Sequence, residues 1–117
     1  MYKIYYLSTC STCTRIINNL GPLIKDFDQV DIKNNSLTFE VIDQMKNLCG
    51  SYEALFSKRA LKFKTLPKKE WQETDFRMLI EQEYTFLKRP VFIVGEAIFI
   101  GNSPKVIAAL REVLVGS

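Results

Sequence analysis

Three features of the sequence predict an α/β fold: a four-stranded mixed sheet covered by helices. The apolar run Tyr2 to Leu7 passes through a short turn into a helical period from Ser11. Two short apolar runs, Val91 to Val94 and Ala97 to Ile100, are joined by Gly95-Glu96. Between these ends lies a stretch, about 38–88, whose readable segments have helical spacing. A chain of 117 residues with 47% hydrophobic side chains can fill one continuous core, so a single domain over 1–117 is expected.

Tyr2 to Leu7 is aromatic and aliphatic apart from Lys3, as expected of a central strand buried on both faces. Cys13, Ile16, Ile17 and Leu20 then fall at i, i+3, i+4 and i+7, and Gly21-Pro22 ends this amphipathic helix. Phe27 to Ile32 alternates like a half-exposed strand, which completes a βαβ unit with a right-handed crossover. Thr38 is a plausible N-cap for a helix with an apolar stripe of Val41, Ile42, Met45, Leu48 and Cys49 before Gly50. Tyr52 to Leu66 has no clear period. Phe76, Leu79, Ile80, Tyr84 and Leu87 predict a helix from about Asp75 to Leu87. Gly95-Glu96 suits a type II′ hairpin turn between two antiparallel strands. Ser103-Pro104 opens a last helix carrying Val106, Ile107, Leu110, Val113 and Leu114. The order βαβ, helical insertion, ββα is the thioredoxin-like arrangement.

The charge balance is 16 Lys and Arg against 13 Asp and Glu, a small excess that does not argue for direct nucleic-acid binding. The aromatics Phe39, Phe56, Phe63, Trp71 and Phe76 read as core or insert packing. No apolar run reaches membrane-spanning length and Met1 to Leu7 is too short for a secretory signal, so a cytoplasmic protein without a membrane partner is expected. Three cysteines do not make a disulfide scaffold. Histidine is absent, which removes Cys-His catalysis and leaves too few favoured ligands for zinc, so no metal is expected.

The chemistry concentrates in Cys10-Ser11-Thr12-Cys13, placed where the first strand turns into the first helix. A thiol there meets free backbone N–H groups and the positive end of the helix dipole, which favour thiolate over thiol. Cys13 lies on the apolar stripe and Cys10 in the loop before it. Cys10 is therefore the expected exposed nucleophile and Cys13 the shielded resolving thiol, against the plainer reading of both as small core residues. Cys49 falls on the middle helix's apolar stripe and is expected to be buried.

Tyr5 to Arg15 with its CxxC, Leu55-Phe56-Ser57-Lys58-Arg59, and Leu87-Lys88-Arg89-Pro90-Val91 together resemble the arsenate reductase (ArsC)/Spx family in order and spacing. The resemblance implies a reactive first cysteine, anion- or substrate-binding arginines at Arg59 and Arg89, and a cis peptide bond before Pro90. An oxyanion or small thiol would then sit between Cys10, the N–H groups of Ser11 and Thr12, and Arg89, with Arg59 contributing less. Arg15 reads as a solvated side chain. No bound cofactor is expected, with glutathione or thioredoxin serving as external reductant. Two departures pull toward the Spx-like branch, whose members bind the C-terminal domain of the RNA polymerase α subunit. One is the second cysteine in CxxC spacing. The other is Ile100-Gly101-Asn102 where arsenate reductases of the family carry a third anion-binding arginine. A thiol oxidoreductase is thus the expected function, and a redox-sensing transcriptional regulator the alternative.

Overall fold

The computed structural model describes residues 1–116. Its elements are β1 (Tyr2–Tyr6), α1 (Ser11–Leu20), β2 (Asp28–Asp31), α2 (Phe39–Cys49), α3 (Glu73–Gln82), β3 (Val91–Val94), β4 (Ala97–Ile100) and α4 (Pro104–Gly116). Short 3₁₀ turns occupy Gly21–Ile24, Glu53–Leu55, Leu61–Thr65 and Tyr84–Phe86. The four strands form one sheet in the order β2-β1-β3-β4. β1 runs parallel to β2 and antiparallel to β3, and β3 runs antiparallel to β4. This is the thioredoxin-like α/β arrangement that the element order predicted.

Two compact units make up the chain. Met1–Asn35 with the chain from Arg89 onward holds the whole sheet, α1 and α4, and Ser36–Lys88 holds α2 and α3. In the sheet unit, Ile4, Ile16, Leu20, Ile24, Phe92 and Leu110 form the core. β1 is central, but only Ile4 and Tyr5 are fully buried along it; Tyr2 is exposed and Lys3 and Tyr6 are half-buried. Ser103 caps α4 by accepting the Val106 N–H at 3.2 Å. Gly95 has a positive φ of 63° and no non-glycine residue does, so the Gly95-Glu96 turn cannot be type I′ and agrees with type II′.

In the second unit, Thr38 caps α2 through the Val41 N–H at 3.2 Å, and Gly50 ends the helix in the left-handed region. Ile42 and Met45 are buried, whereas Cys49 is only half-buried and donates its Sγ–H to the Ser51 carbonyl at 3.2 Å. The expectation of a buried Cys49 is corrected in that respect: it is the last residue of α2, and the Gly50 that follows it is exposed. Phe56 centres an aromatic cluster, with ring centroids 4.8 Å from Phe76, 5.0 Å from Phe86 and 5.4 Å from Phe63.

The helix expected to reach Leu87 stops at Gln82. Glu83 is extended, and its carboxylate accepts the Thr85 N–H at 3.4 Å and the Thr85 hydroxyl at 3.1 Å, which starts the tighter turn Tyr84–Phe86. A local side-chain acceptor has replaced continuation of the helix. Leu87 remains buried, but as the bridge partner of Phe56 rather than as part of α3.

Candidate thiol site

The β1–α1 connection is a tight turn in which the Cys10 N–H donates to the Leu7 carbonyl at 2.9 Å. Cys10 is the N-cap residue of α1 with extended backbone, and its carbonyl accepts the Thr14 N–H at 3.2 Å. The first-turn N–H groups have no helical acceptor, so they present positive potential on the side of the turn where Cys10 lies. Ser11 is exposed and Thr12 half-buried in that first turn. Cys13, on the inner face of α1 with Ile16 and Leu20, is fully buried, and Cys10 is half-buried.

Arg89 enters the same unit from the start of β3, and the Arg89–Pro90 peptide is cis. Pro90 is buried, and its carbonyl accepts the Gly101 N–H at 2.9 Å. β3 lies beside β1, with Val91 opposite Tyr5, which brings the Arg89-Pro90 segment to the end of the sheet where β1 gives way to Cys10.

These surroundings drive the two thiols apart. Partial burial pushes the Cys10 thiol up, but the Cys13 N–H, the Cys13 thiol, and the charge and hydrogen bonding of Arg89 outweigh it, and the net shift is below the ordinary value. The sulfur makes no cap hydrogen bond of ordinary geometry, so the Cys13 N–H acts on it as a longer-range dipole. Burial pushes Cys13 up to about 12; a backbone hydrogen bond at Leu7 and the Arg89 charge oppose this, while proximity to Cys10 reinforces it. A thiolate is thus favoured at the half-buried sulfur and disfavoured at the buried one.

Arg59 belongs to the second unit, where it is an exposed turn residue. Arg15 is exposed on α1. Gly101 and Asn102 follow β4, with Asn102 exposed. No group of three or more His, Cys, Asp or Glu suited to a metal occurs among the described residues. No helix of these residues is long and apolar enough to cross a membrane.

Sequence reasoning missed Asp31, at the end of β2. Its carboxylate accepts the Ser8 N–H at 3.2 Å, the Lys33 N–H at 3.1 Å and the Asn34 side-chain amide at 3.1 Å. Hydrogen bonding from the Ser8 side chain, foremost, and from the two backbone N–H groups keeps its carboxyl below the usual carboxylate range despite some desolvation. Asp31 thereby ties the Cys10 turn to the neighbouring strand. The available signal was the βαβ pattern itself, because adjacent parallel strands bring their carboxyl ends side by side.

The fold and this site define a thioredoxin-like protein with a CxxC at the N-terminus of its first helix. Among solved structures it is similar to several described as arsenate reductases. An ArsC-related protein from Brucella melitensis shares 23% identity at a TM-score of 0.73, covering 96% of this chain and 92% of that one. A possible arsenate reductase from Streptococcus mutans shares 22% at 0.73, covering 95% and 98%. An arsenate reductase from Vibrio cholerae shares 13% at 0.77, covering 92% and 95%. The structural neighbours are thus arsenate reductase family proteins, and the likeness establishes a shared fold over nearly the whole chain. No protein-family model and no curated protein sequence matches the chain.

Proposed function

We propose that the chain is a thiol–disulfide redox protein in which Cys10 is the nucleophile and Cys13 the resolving thiol. The observation that carries this reading is the opposite displacement of two thiols within one helical turn, Cys10 down and Cys13 up to about 12. The Cys10 thiolate attacks one sulfur of a substrate disulfide, forms a mixed disulfide and expels the other sulfur as a thiolate. Loss of the Cys10 charge removes part of what holds Cys13 protonated. Cys13 then gives up its proton and attacks the Cys10 sulfur, which expels the second substrate thiolate and leaves a Cys10–Cys13 disulfide. Two electrons have passed from the protein to the substrate, and an external dithiol or two glutathiones return them.

Arsenate is a weaker candidate substrate than a disulfide, because Ile100-Gly101-Asn102 offers no cation to supplement Arg89. Peroxide treatment followed by peptide mapping tests the pair: a Cys10–Cys13 link with Cys49 still reduced is expected. A dominant link to Cys49 overturns the assignment. Turnover of mixed disulfides and arsenate with glutathione or thioredoxin reducing systems then tests the activity.

The CxxC spacing and the neutral Ile100-Gly101-Asn102 segment favour a second reading, an Spx-like regulator of RNA polymerase. Oxidation-dependent retention on the immobilised C-terminal domain of the polymerase α subunit, without turnover, would select it.

A further inference from the structure

The chain's positive charge is concentrated in one short segment. Between Glu53 and Glu70 there is no acidic residue, and Lys58, Arg59, Lys62, Lys64, Lys68 and Lys69 fall within it. The remainder carries ten basic and thirteen acidic residues. Three of the six cations are neutralised within their own unit: Lys58 by Glu53 at 2.5 Å, Lys62 by Glu83, and Lys69 by Asp75 at 3.3 Å. Arg59, Lys64 and Lys68 are exposed and have no ion-pair partner among the described residues.

Lys64 and Lys68 border a groove of about 450 Å³ whose apolar lining is Phe63, Leu66, Pro67 and Trp71. The aromatic part of its lining is packed. Phe63 stands edge-on to the buried Phe56, and Trp71 lies 5.8 Å from Phe63, centroid to centroid. Pro67 constrains the backbone between them. Burial of Phe63, Leu66 and Trp71 is incomplete, so apolar surface stays open under a cationic rim.

We propose that this groove docks an acidic peptide segment bearing a large apolar side chain. The apolar residue seats in the groove against Phe63, Leu66, Pro67 and Trp71, and flanking carboxylates meet Lys64 and Lys68. Charge complementarity selects the acidic flanks, since both rim cations are uncompensated. The recessed lining favours a peptide anchor over a membrane, whose insertion calls for apolar side chains that project. A nucleobase is disfavoured because Lys69 covers a face of Trp71 at 4.7 Å, leaving less aromatic surface for stacking.

Trp71 is the only tryptophan, so its emission reports on the groove. The test titrates the acetylated, amidated peptide EDELFEDE into the full chain at low salt. A saturable change in Trp71 emission is expected, and the double reversal Lys64→Glu/Lys68→Glu should weaken it by about tenfold or more. A control peptide with Leu-Phe replaced by Ser-Ser should lose the emission change. Both lysines are exposed, so the variant should keep the wild-type melting temperature; Lys64→Gln/Lys68→Gln serves should it not. No saturable change, equal binding by the charge variants, or equal binding of the Ser-Ser peptide overturns the proposal. So does tighter binding of phosphatidylserine vesicles or poly-U RNA than of the peptide.

Discussion

Cys13 should be nearly inert toward alkylation in the native protein at a pH where Cys10 reacts. With its pKa pushed from 9.0 to about 12, Cys13 is ionised at pH 8 to about one part in 10⁴. A thiol left at 9.0 would be ionised to about one part in ten. That deficit is about a thousandfold. A more basic thiolate is intrinsically more nucleophilic, and a Brønsted coefficient of ~0.4–0.5 over the shift recovers roughly twentyfold. A slowing of about fiftyfold survives, before counting that the side chain has no solvent exposure. The perturbation is substoichiometric iodoacetamide on the fully reduced protein at pH 8, native and in urea. Mass-spectrometric mapping of singly labelled chains gives the first-hit partition. Native label should fall on Cys10 in preference to Cys13, and in urea the two should converge as burial and Arg89 are lost. A native Cys13 share comparable with that of Cys10 would refute the division of roles.

The same shift makes stability depend on pH. Cys13 has a raised folded pKa, so its contribution is full below about 9 and is lost as pH climbs from 9 toward 12. Between pH 8 and 10, wild type should lose about 1.4 kcal/mol relative to Cys13→Ala in paired urea melts, and parallel curves would contradict this. Replacing Arg89 by Ala should raise the Cys10 pKa, read from labelling against pH. The same change should weaken sulfate or arsenate binding by about tenfold or more, as one charge-assisted hydrogen bond is worth ~1.5–3 kcal/mol. If neither quantity moves, the anion-site assignment fails. Asp31→Ala should slow Cys10 labelling by releasing the Ser8 N–H, whereas Asp31→Asn keeps an acceptor and should restore the rate; equal rates in both variants and wild type would remove Asp31 from the site. In the second unit, Asp43 accepts Arg77 through both oxygens at 2.8 and 3.0 Å and the Tyr52 hydroxyl at 2.6 Å, and these bonds hold its carboxyl down to about 2. Its depressed pKa means that the stabilisation is present above about 3.8 and is lost as pH falls toward 2. Asp43→Asn should flatten that acid limb in a melt series, and an unchanged limb would exclude Asp43 as its source.

Local signals decided most of the fold. The period of α1, the Thr38 and Ser103 caps, and the Gly95-Glu96 turn were legible because each depends on residues a few positions apart. The end of α3 was not legible. Tyr84 and Leu87 satisfy the helical period, yet Glu83 turns its carboxylate on Thr85 and stops the helix. Periodicity records which residues are apolar, and a side-chain acceptor can override it without changing that pattern.

The sequence by itself determined the thioredoxin-like order of elements and the position of Cys10-Ser11-Thr12-Cys13 at a helix N-terminus, since both follow from short-range spacing. The spacing also set Cys13 on the apolar stripe and Cys10 in the loop, but only the tertiary structure decided the burial and charge that move their two thiols in opposite directions. The separation requires Cys13 shut into the core and Arg89 acting on Cys10 from the start of β3. Electrostatic energy depends on distance and on exclusion of water, and sheet pairing sets both between residues far apart along the chain.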